Sequence, residues 1–238
     1  MKAMIFSAGL GSRLKPWTDH HPKALAVVNG KTLLQRNIEY LQKYGISEVI
    51  VNVHHFSDQI ISTLEKNKGW GSLVTISDET DAVLETGGGL KKASWYFKNE
   101  PIFVVMNVDI LTDMSLSTMI EQHERLQPMA TLAVSDRATS RYFLFDQQNI
   151  LSGWENVKTG EKKVVKNTGN LFQKAFSGIH VINSSLLPLI KQEGKFSMVD
   201  VYLDLAKEYM ICCYNHTGAA LIDVGKPESI LAAETIFT

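Results

Sequence analysis

Apolar positions fall into two rhythms over the first 135 residues. Short continuous runs at 2–7 (KAMIFS), 48–55 (EVIVNVHH), 73–77 (LVTIS), 101–111 (PIFVVMNVDIL) and 129–135 (MATLAVS) predict strands covered on both faces. Between them the spacing turns helical. Over 32–44 the apolar positions are Leu33, Leu34, Ile38, Leu41 and Tyr44, and Gly45 follows as a stop. Further helices are predicted at 57–66 with Ser57 as N-cap, at 89–97 after three glycines, and at 115–126. Strand–helix alternation of this kind predicts an α/β protein with a doubly wound, mostly parallel, Rossmann-like sheet.

The rhythm breaks from 141 to 173, where polar residues dominate and short antiparallel strands and turns are predicted. A strand returns at 175–182 (AFSGIHVI), followed by helical stretches near 184–192 and 198–208. Residues 212–225 read as a hairpin leading into a strand, and 227–236 as a closing helix with Pro227 in its first turn. The second half is therefore an antiparallel insertion that covers one end of the sheet. A length of 238 residues, with no repeat, linker or low-complexity segment, predicts one domain over 1–238.

Composition narrows the function classes. A net charge of −1 without a basic block gives no reason to expect nucleic-acid or membrane-surface partners. The N-terminal apolar run is cut by glycines too early for a signal segment, and no 18-residue apolar stretch follows. The adjacent Cys212 and Cys213 make neither a disulfide framework nor a CxxC pair. A reduced, cytoplasmic enzyme is the expectation.

Four places can carry chemistry. Ala8-Gly9-Leu10-Gly11-Ser12-Arg13 follows a strand, and its glycines let backbone N–H groups approach phosphate oxygens. Arg13 and Lys23, within Pro22-Lys23, add two cations. The dinucleotide pattern fails because Leu14 holds the third glycine position and the second strand ends in His54-His55; no Walker Gly-Lys-Ser/Thr occurs either. A tight turn with a surface arginine is the plainer alternative. Asp109 and Asp223 each close an apolar strand, where a carboxylate either meets a cation or caps the next turn; two such carboxylates suit a Mg²⁺ ion bound to substrate phosphates. Glu85-Thr86-Gly87-Gly88-Gly89 predicts either a flexible loop or a surface held open for a ligand, so that Gly88→Val should block the ligand and spare thermal stability. The histidines at 20, 21, 54 and 55 lack metal-ligand spacing, and no GxSxG elbow is present.

Together these segments resemble the sugar-1-phosphate nucleotidyltransferase family. The resemblance runs through Gly9-Leu10-Gly11-Ser12-Arg13, Pro22-Lys23, LETGGGL (84–90), MNVDIL (106–111), FSGIHVI (176–182) and LIDVGKPESILAAE (221–234), and so spans nearly the whole chain. N-acetylmuramate-1-phosphate uridylyltransferases of cell-wall recycling and mannose-1-phosphate guanylyltransferase-like proteins are its nearest branches. The resemblance implies a GT-A-like fold with a nucleotide-binding half at about 1–135 and a sugar-phosphate-binding half at about 136–238. It implies Mg²⁺ as cofactor, with a nucleoside triphosphate and a sugar 1-phosphate as partners.

The same resemblance implies a role for each residue. Arg13 meets the β- and γ-phosphates, Lys23 the α-phosphate and the incoming phosphate, and Asp109 and Asp223 hold the metal. Backbone at Ala8, Gly9, Leu10, Gly11 and Ser12, with Thr86, Gly87 and Gly88, holds the nucleotide; Asn107 and Gly178 fall on the sugar-phosphate side. Two departures stand out: Val108 replaces a glycine before the metal-binding Asp, which is expected to crowd the nucleotide or shift the strand, and the Glu-Lys-Pro segment that holds the sugar phosphate is absent. Glu155, Lys162, Lys163 and Lys166 lie in its region. Two alternatives are a phosphocholine cytidylyltransferase-type activity, with an aromatic cage from Tyr142, Phe143 and Trp154, and a regulatory nucleotide-binding domain without catalysis.

Overall fold

The computed structural model describes residues 1–166 and 169–238, so two residues of the polar 141–173 segment lie outside the described residues. The chain starts with β1 (Lys2–Phe6), a small ribbon of β2 (Val27–Val28) and β3 (Lys31–Thr32), and α1 (Leu33–Gln42). The Thr32 hydroxyl caps α1 by accepting the Gln35 N–H at 3.1 Å, and Gly45 turns the chain away at φ +74°. Next come β4 (Glu48–Val53), α2 (Ser57–Lys66), β5 (Leu73–Asp78), α3 (Glu85–Lys92), β6 (Ile102–Asn107), β7 (Ile110–Thr112), α4 (Leu116–Leu126) and β8 (Ala130–Ser135).

The second half contributes β9 (Arg141–Phe145), β10 (Leu151–Asn156), β11 (Glu161–Val164), β12 (Phe172–Asn183), α5 (Met198–Leu205), β13 (Ile211–Asn215), β14 (Leu221–Asp223) and α6 (Pro227–Ile236). No described helix is long and apolar enough to cross a membrane.

One sheet runs in the order β11-β10-β9-β12-β6-β1-β4-β5, with β8 joined to β12 and β13 to β8. Strands β6, β1, β4 and β5 are mutually parallel. Alternate residues of β1 serve two cores: Ala3 and Ile5 join one apolar cluster, Met4 and Phe6 the other. Helices α1, α2 and α4 cover the first face, while Leu90 of α3 and Tyr202 of α5 pack on the second. Burial on both faces is the reason these strands read as unbroken apolar runs.

Strand β12 joins the two halves. Its C-terminal part pairs antiparallel with β6 and β8, and Phe172–Lys174 pair with β9. The β8 register shifts between Phe176 and His180, where Gly178 sits at φ +73°.

Four expectations need correction. The predicted 89–97 helix starts earlier, at Glu85, with the three glycines inside it, and it breaks after Lys92, a 3-10 turn covering Ser94–Phe97. Ser57 is the first residue of α2 rather than its cap; Phe56 precedes it in a left-handed conformation with no side-chain cap. Residues 212–225 form no hairpin, since β13 runs parallel to β8 and β14 pairs antiparallel with β7. The 101–111 run is two strands, because the chain leaves the sheet at Asn107 and Asp109 lies in the turn before β7.

Candidate active site

Three parallel strands end level with one another, Phe6 standing beside Asn52 on one side and Asn107 on the other. A cavity of about 430 Å³ opens there, at the carboxyl edge where open α/β sheets take ligands. Its floor is held by the Ser7 N–H, which donates to Asn52 Oδ1 at 2.7 Å, and by the Ser7 hydroxyl, which donates to the Asn52 carbonyl.

The loop after β1 forms one wall. Ala8, Gly9, Gly11, Ser12 and Arg13 line the cavity, whereas Leu10 is 53% exposed and points away from it. Gly11 adopts φ +63°, and a Cβ there would lie 3.0 Å from both Lys23 Cβ and Thr18 Cγ2. Only glycine lets this turn press on the stem of Lys23, which leaves that lysine 8% exposed.

Lys23 forms an ion pair with Asp109, and Arg13 lies 3.8 Å from Asp223. The carboxylates belong to neighbouring backbone: Asp223 pairs with Ile110, and the Val224 N–H donates to the Asp109 carbonyl at 2.8 Å. Asp109 lines the cavity, while Asp223 stands behind the wall at Gly225, where a Cβ would lie 2.7 Å from Asp223 Oδ1 and 2.8 Å from Arg13 Nη2. Asp223 Oδ1 is buried without a hydrogen-bond donor. Burial first, and then the Asp109 charge, raise the Asp223 carboxyl above the usual range.

A buried carboxyl oxygen without a donor, beside a second carboxylate, fits a hard divalent cation. No cluster of three or more His, Cys, Asp or Glu side chains occurs among the described residues. Such an ion would take its remaining ligands from phosphate oxygens and water, the habit of Mg²⁺.

Asn107 is on the cavity wall, and Gly178 backs it: a Cβ on Gly178 would lie 2.9 Å from Asn107 Nδ2. Val108 does not shift the strand, because its N–H donates to the Phe6 carbonyl at 3.0 Å and its carbonyl accepts from Asn37 Nδ2 at 2.8 Å.

The glycine run is the main departure from the sequence reading. Thr86 lines the cavity, yet its hydroxyl accepts the Met198 N–H at 3.0 Å and fixes the start of α5. Gly87 and Gly88 do not line the cavity, and both N–H groups donate to the Phe196 carbonyl, at 2.9 and 3.3 Å. A Cβ on Gly87 would strike the Phe196 ring, and one on Gly88 the Gly194 carbonyl. These glycines are small because the 194–197 segment lies on them, not because their surface is open.

Several wall residues escaped the sequence reading. Asn52 is one, and its signal was a lone amide inside EVIVNVHH. Behind it Glu79 is 1% exposed and accepts from Asn52 Nδ2 at 2.8 Å, and burial raises its carboxyl. Ser197, the cap of α5, is another, and Glu85, which opens the glycine segment singled out in the sequence, lines the cavity at φ +59°.

The aromatic cage is not formed. Trp154 faces Phe143 across β10 and β9, and Tyr142, next along β9, points to the other side of the sheet. Phe143 is 2% exposed and packs on Phe145 and Phe176.

Comparison with known proteins shows the family and the fold. The family model described as Nucleotidyl transferase matches residues 2–238. The chain is 28% identical over 240 residues to the N-acetylmuramate alpha-1-phosphate uridylyltransferase of Caulobacter vibrioides, covering 98% of this chain and 95% of that one. It is 27% identical over 240 residues to the mannose-1-phosphate guanyltransferase of Yarrowia lipolytica, covering 100% of this chain but only 64% of that longer protein. Among solved structures, HddC from Yersinia pseudotuberculosis complexed with GMP-PN matches with TM-score 0.79 and 24% identity, over 100% of this chain and 99% of that one. A putative glucose-1-phosphate thymidylyltransferase from Bacillus anthracis in complex with a sucrose matches with TM-score 0.84 and 18% identity, over 99% and 94% of the two chains. Both likenesses are of fold.

Proposed function

The chain belongs to the nucleotidyl transferase family and is a nucleotidyltransferase, and from that premise we propose that it joins a nucleoside monophosphate to a sugar 1-phosphate with release of pyrophosphate. The substrate pair we favour is UTP with N-acetylmuramate 1-phosphate, because the uridylyltransferase relative is matched over 95% of its length. GTP with mannose 1-phosphate is the second choice, from a relative matched over 64%.

In the proposed reaction an oxygen of the sugar phosphate attacks the α-phosphorus in line. The new P–O bond forms as the bond from the α-phosphorus to the bridging oxygen breaks, and the electron pair leaves with pyrophosphate. Such a transfer needs positioning and charge neutralisation rather than a covalent nucleophile. The observation that supports it best is the pairing of Lys23 with Asp109 and of Arg13 with Asp223 at one end of the cavity.

Arg13, the more exposed cation, is suited to follow the departing β- and γ-phosphates. Lys23, held by the Gly11 turn, is suited to the α-phosphate, where the two anions meet. Asp109 and Asp223 would hold Mg²⁺, which when bound neutralises phosphate charge and polarises the α-phosphoryl group. The wall from Ala8 to Ser12, with Thr86, Asn52 and Ser197, would hold the nucleoside, and Asn107, backed by Gly178, the sugar side. A cytoplasmic role in nucleotide-sugar synthesis for the cell wall goes with the uridylyltransferase reading. The test is pyrophosphate release from matched triphosphate and sugar 1-phosphate pairs, with the nucleotide-sugar identified by mass; triphosphate cleavage without a sugar nucleotide would refute it.

A further inference from the structure

The third glycine of the run, Gly89, meets a different neighbour from the other two. A Cβ there would lie 2.8 Å from Glu79 Oε1 and 3.0 Å from Asn52 Nδ2. Those two atoms are hydrogen-bonded to each other at 2.8 Å. Only a residue without a Cβ lets α3 pass so close to that bond. Gly89 thus keeps room for one contact, between an amide of the cavity wall and the carboxyl behind it.

The amide has one orientation open to it. The Ser7 N–H can only donate, so Asn52 turns its oxygen there, at 2.7 Å, and Nδ2 falls to Glu79. The Ser7 hydroxyl in turn donates to the Asn52 carbonyl. The end of β1 is thereby clasped to β4 just where the glycine loop begins. Glu79 is pinned through its own backbone: its N–H donates to the Val53 carbonyl at 2.8 Å, and its carbonyl accepts from His54 Nδ1 at 2.6 Å. The side chains of Ser7, Asn52 and Glu79 are all buried. Glu79 Oε2 has no hydrogen-bond partner among the described residues. Burying a carboxyl with one oxygen unpartnered costs stability, and the contact its other oxygen makes is with the Asn52 amide.

We propose that Glu79 is a positioning residue of the triphosphate site, fixing the Asn52 amide and through it the Ser7 end of the glycine loop, with Gly89 small to admit the contact. This rests on the transferase reading above. Glu79 does not line the cavity and exchanges no proton with a substrate; it acts through Asn52. Without its acceptor, the amide either stays with Nδ2 buried and unpaired or rotates and releases the Ser7 N–H. Both outcomes loosen the loop before the ligand arrives, so the loss falls on the triphosphate rather than on the sugar 1-phosphate.

The test measures the Kd of UTP and of GTP by calorimetry in the full chain. Pyrophosphate release, with N-acetylmuramate 1-phosphate for UTP and mannose 1-phosphate for GTP, gives KM for the sugar 1-phosphate. Glu79→Met keeps the bulk and removes the acceptor; it should raise the triphosphate Kd about tenfold and leave KM for the sugar 1-phosphate within about twofold. Glu79→Gln keeps an acceptor oxygen for Asn52 and should recover most of the affinity. In an Asn52→Ala background, Glu79→Met should change Kd by less than about twofold, because the carboxyl acts only through the amide. Gly89→Ala presses on the same bond with Glu79 in place and should raise Kd as well; thermal melts establish that each variant is folded. An unchanged Kd in folded Glu79→Met or Gly89→Ala overturns the assignment, as does a Glu79→Met loss that adds in full to that of Asn52→Ala. In either case the transferase reading stands on the activity of the wild type. A wild type that binds neither triphosphate overturns the transferase reading, and this assignment with it.

Discussion

Asp223 and Asp109, far apart in sequence, sit on one short ribbon in which Asp223 faces Ile110 and the Val224 N–H bonds the Asp109 carbonyl at 2.8 Å. Their charges oppose one another, and the donor-free Oδ1 of Asp223 adds a desolvation cost. A carboxyl whose pKa is raised on folding contributes stability at acid pH, and that contribution is lost as pH rises through the raised value. At neutral pH, Asp223→Asn should therefore raise the Tm of the ligand-free protein while abolishing most activity. Added Mg²⁺ should raise the Tm of the wild type and not of this variant. Thermal melts with and without Mg²⁺ check both. A lower Tm in Asp223→Asn, or an equal response to Mg²⁺, would remove Asp223 from a metal site.

Arg13→Ala should lower kcat by about a hundredfold if Arg13 meets charge that develops on the leaving pyrophosphate. Steady-state kinetics decide it. A change confined to KM for the triphosphate would make Arg13 a ground-state binding residue.

Gly88→Val should destabilise the protein, contrary to what the sequence suggests, because its Cβ would strike the Gly194 carbonyl. Overpacking of this kind costs about 1–3 kcal/mol, or a Tm lower by roughly 2–12 °C for a chain of this size. An unchanged Tm with lost triphosphate binding would restore the open-surface reading.

Much of the parallel sheet was legible because burial on both faces leaves an unbroken apolar run, as in β1, β4 and β6. The glycine loop after β1, Lys23 and the two carboxylates stand out as local sequence patterns, and the fold brings them to one place. The role of the glycines was not, since its cause is the 194–197 segment, which packs on α3 from more than a hundred residues away. The hairpin expected over 212–225 failed for a similar reason: the two strands are there, but β13 and β14 take partners, β8 and β7, that nothing local announces. Leu10 fell inside a binding motif but faces solvent, a matter of side-chain direction that spacing does not carry.

Acid should destabilise the protein through its buried histidines. Burial holds His180 down at about 3 and His123 at about 4, while the unfolded chain takes up those protons near pH 6.5. Stability is thus full above that value and is lost as pH falls from about 6.5 towards the folded values. His180 is hydrogen-bonded to the Tyr202 hydroxyl at 2.6 Å, so His180→Phe combined with Tyr202→Phe removes the pair without stranding either partner. Melts from pH 7.5 to 4.5 should show a shallower fall in Tm for the double variant. Equal slopes would show that His180 is not a source of the acid sensitivity.

The most direct measurement is pyrophosphate release by the wild-type chain with Mg²⁺, one triphosphate and one sugar 1-phosphate, each component omitted in turn. Release should require all three, with UTP plus N-acetylmuramate 1-phosphate the best pair, and should yield one nucleotide-sugar per pyrophosphate. Release that proceeds without the sugar 1-phosphate, or no release with any pair, would contradict it.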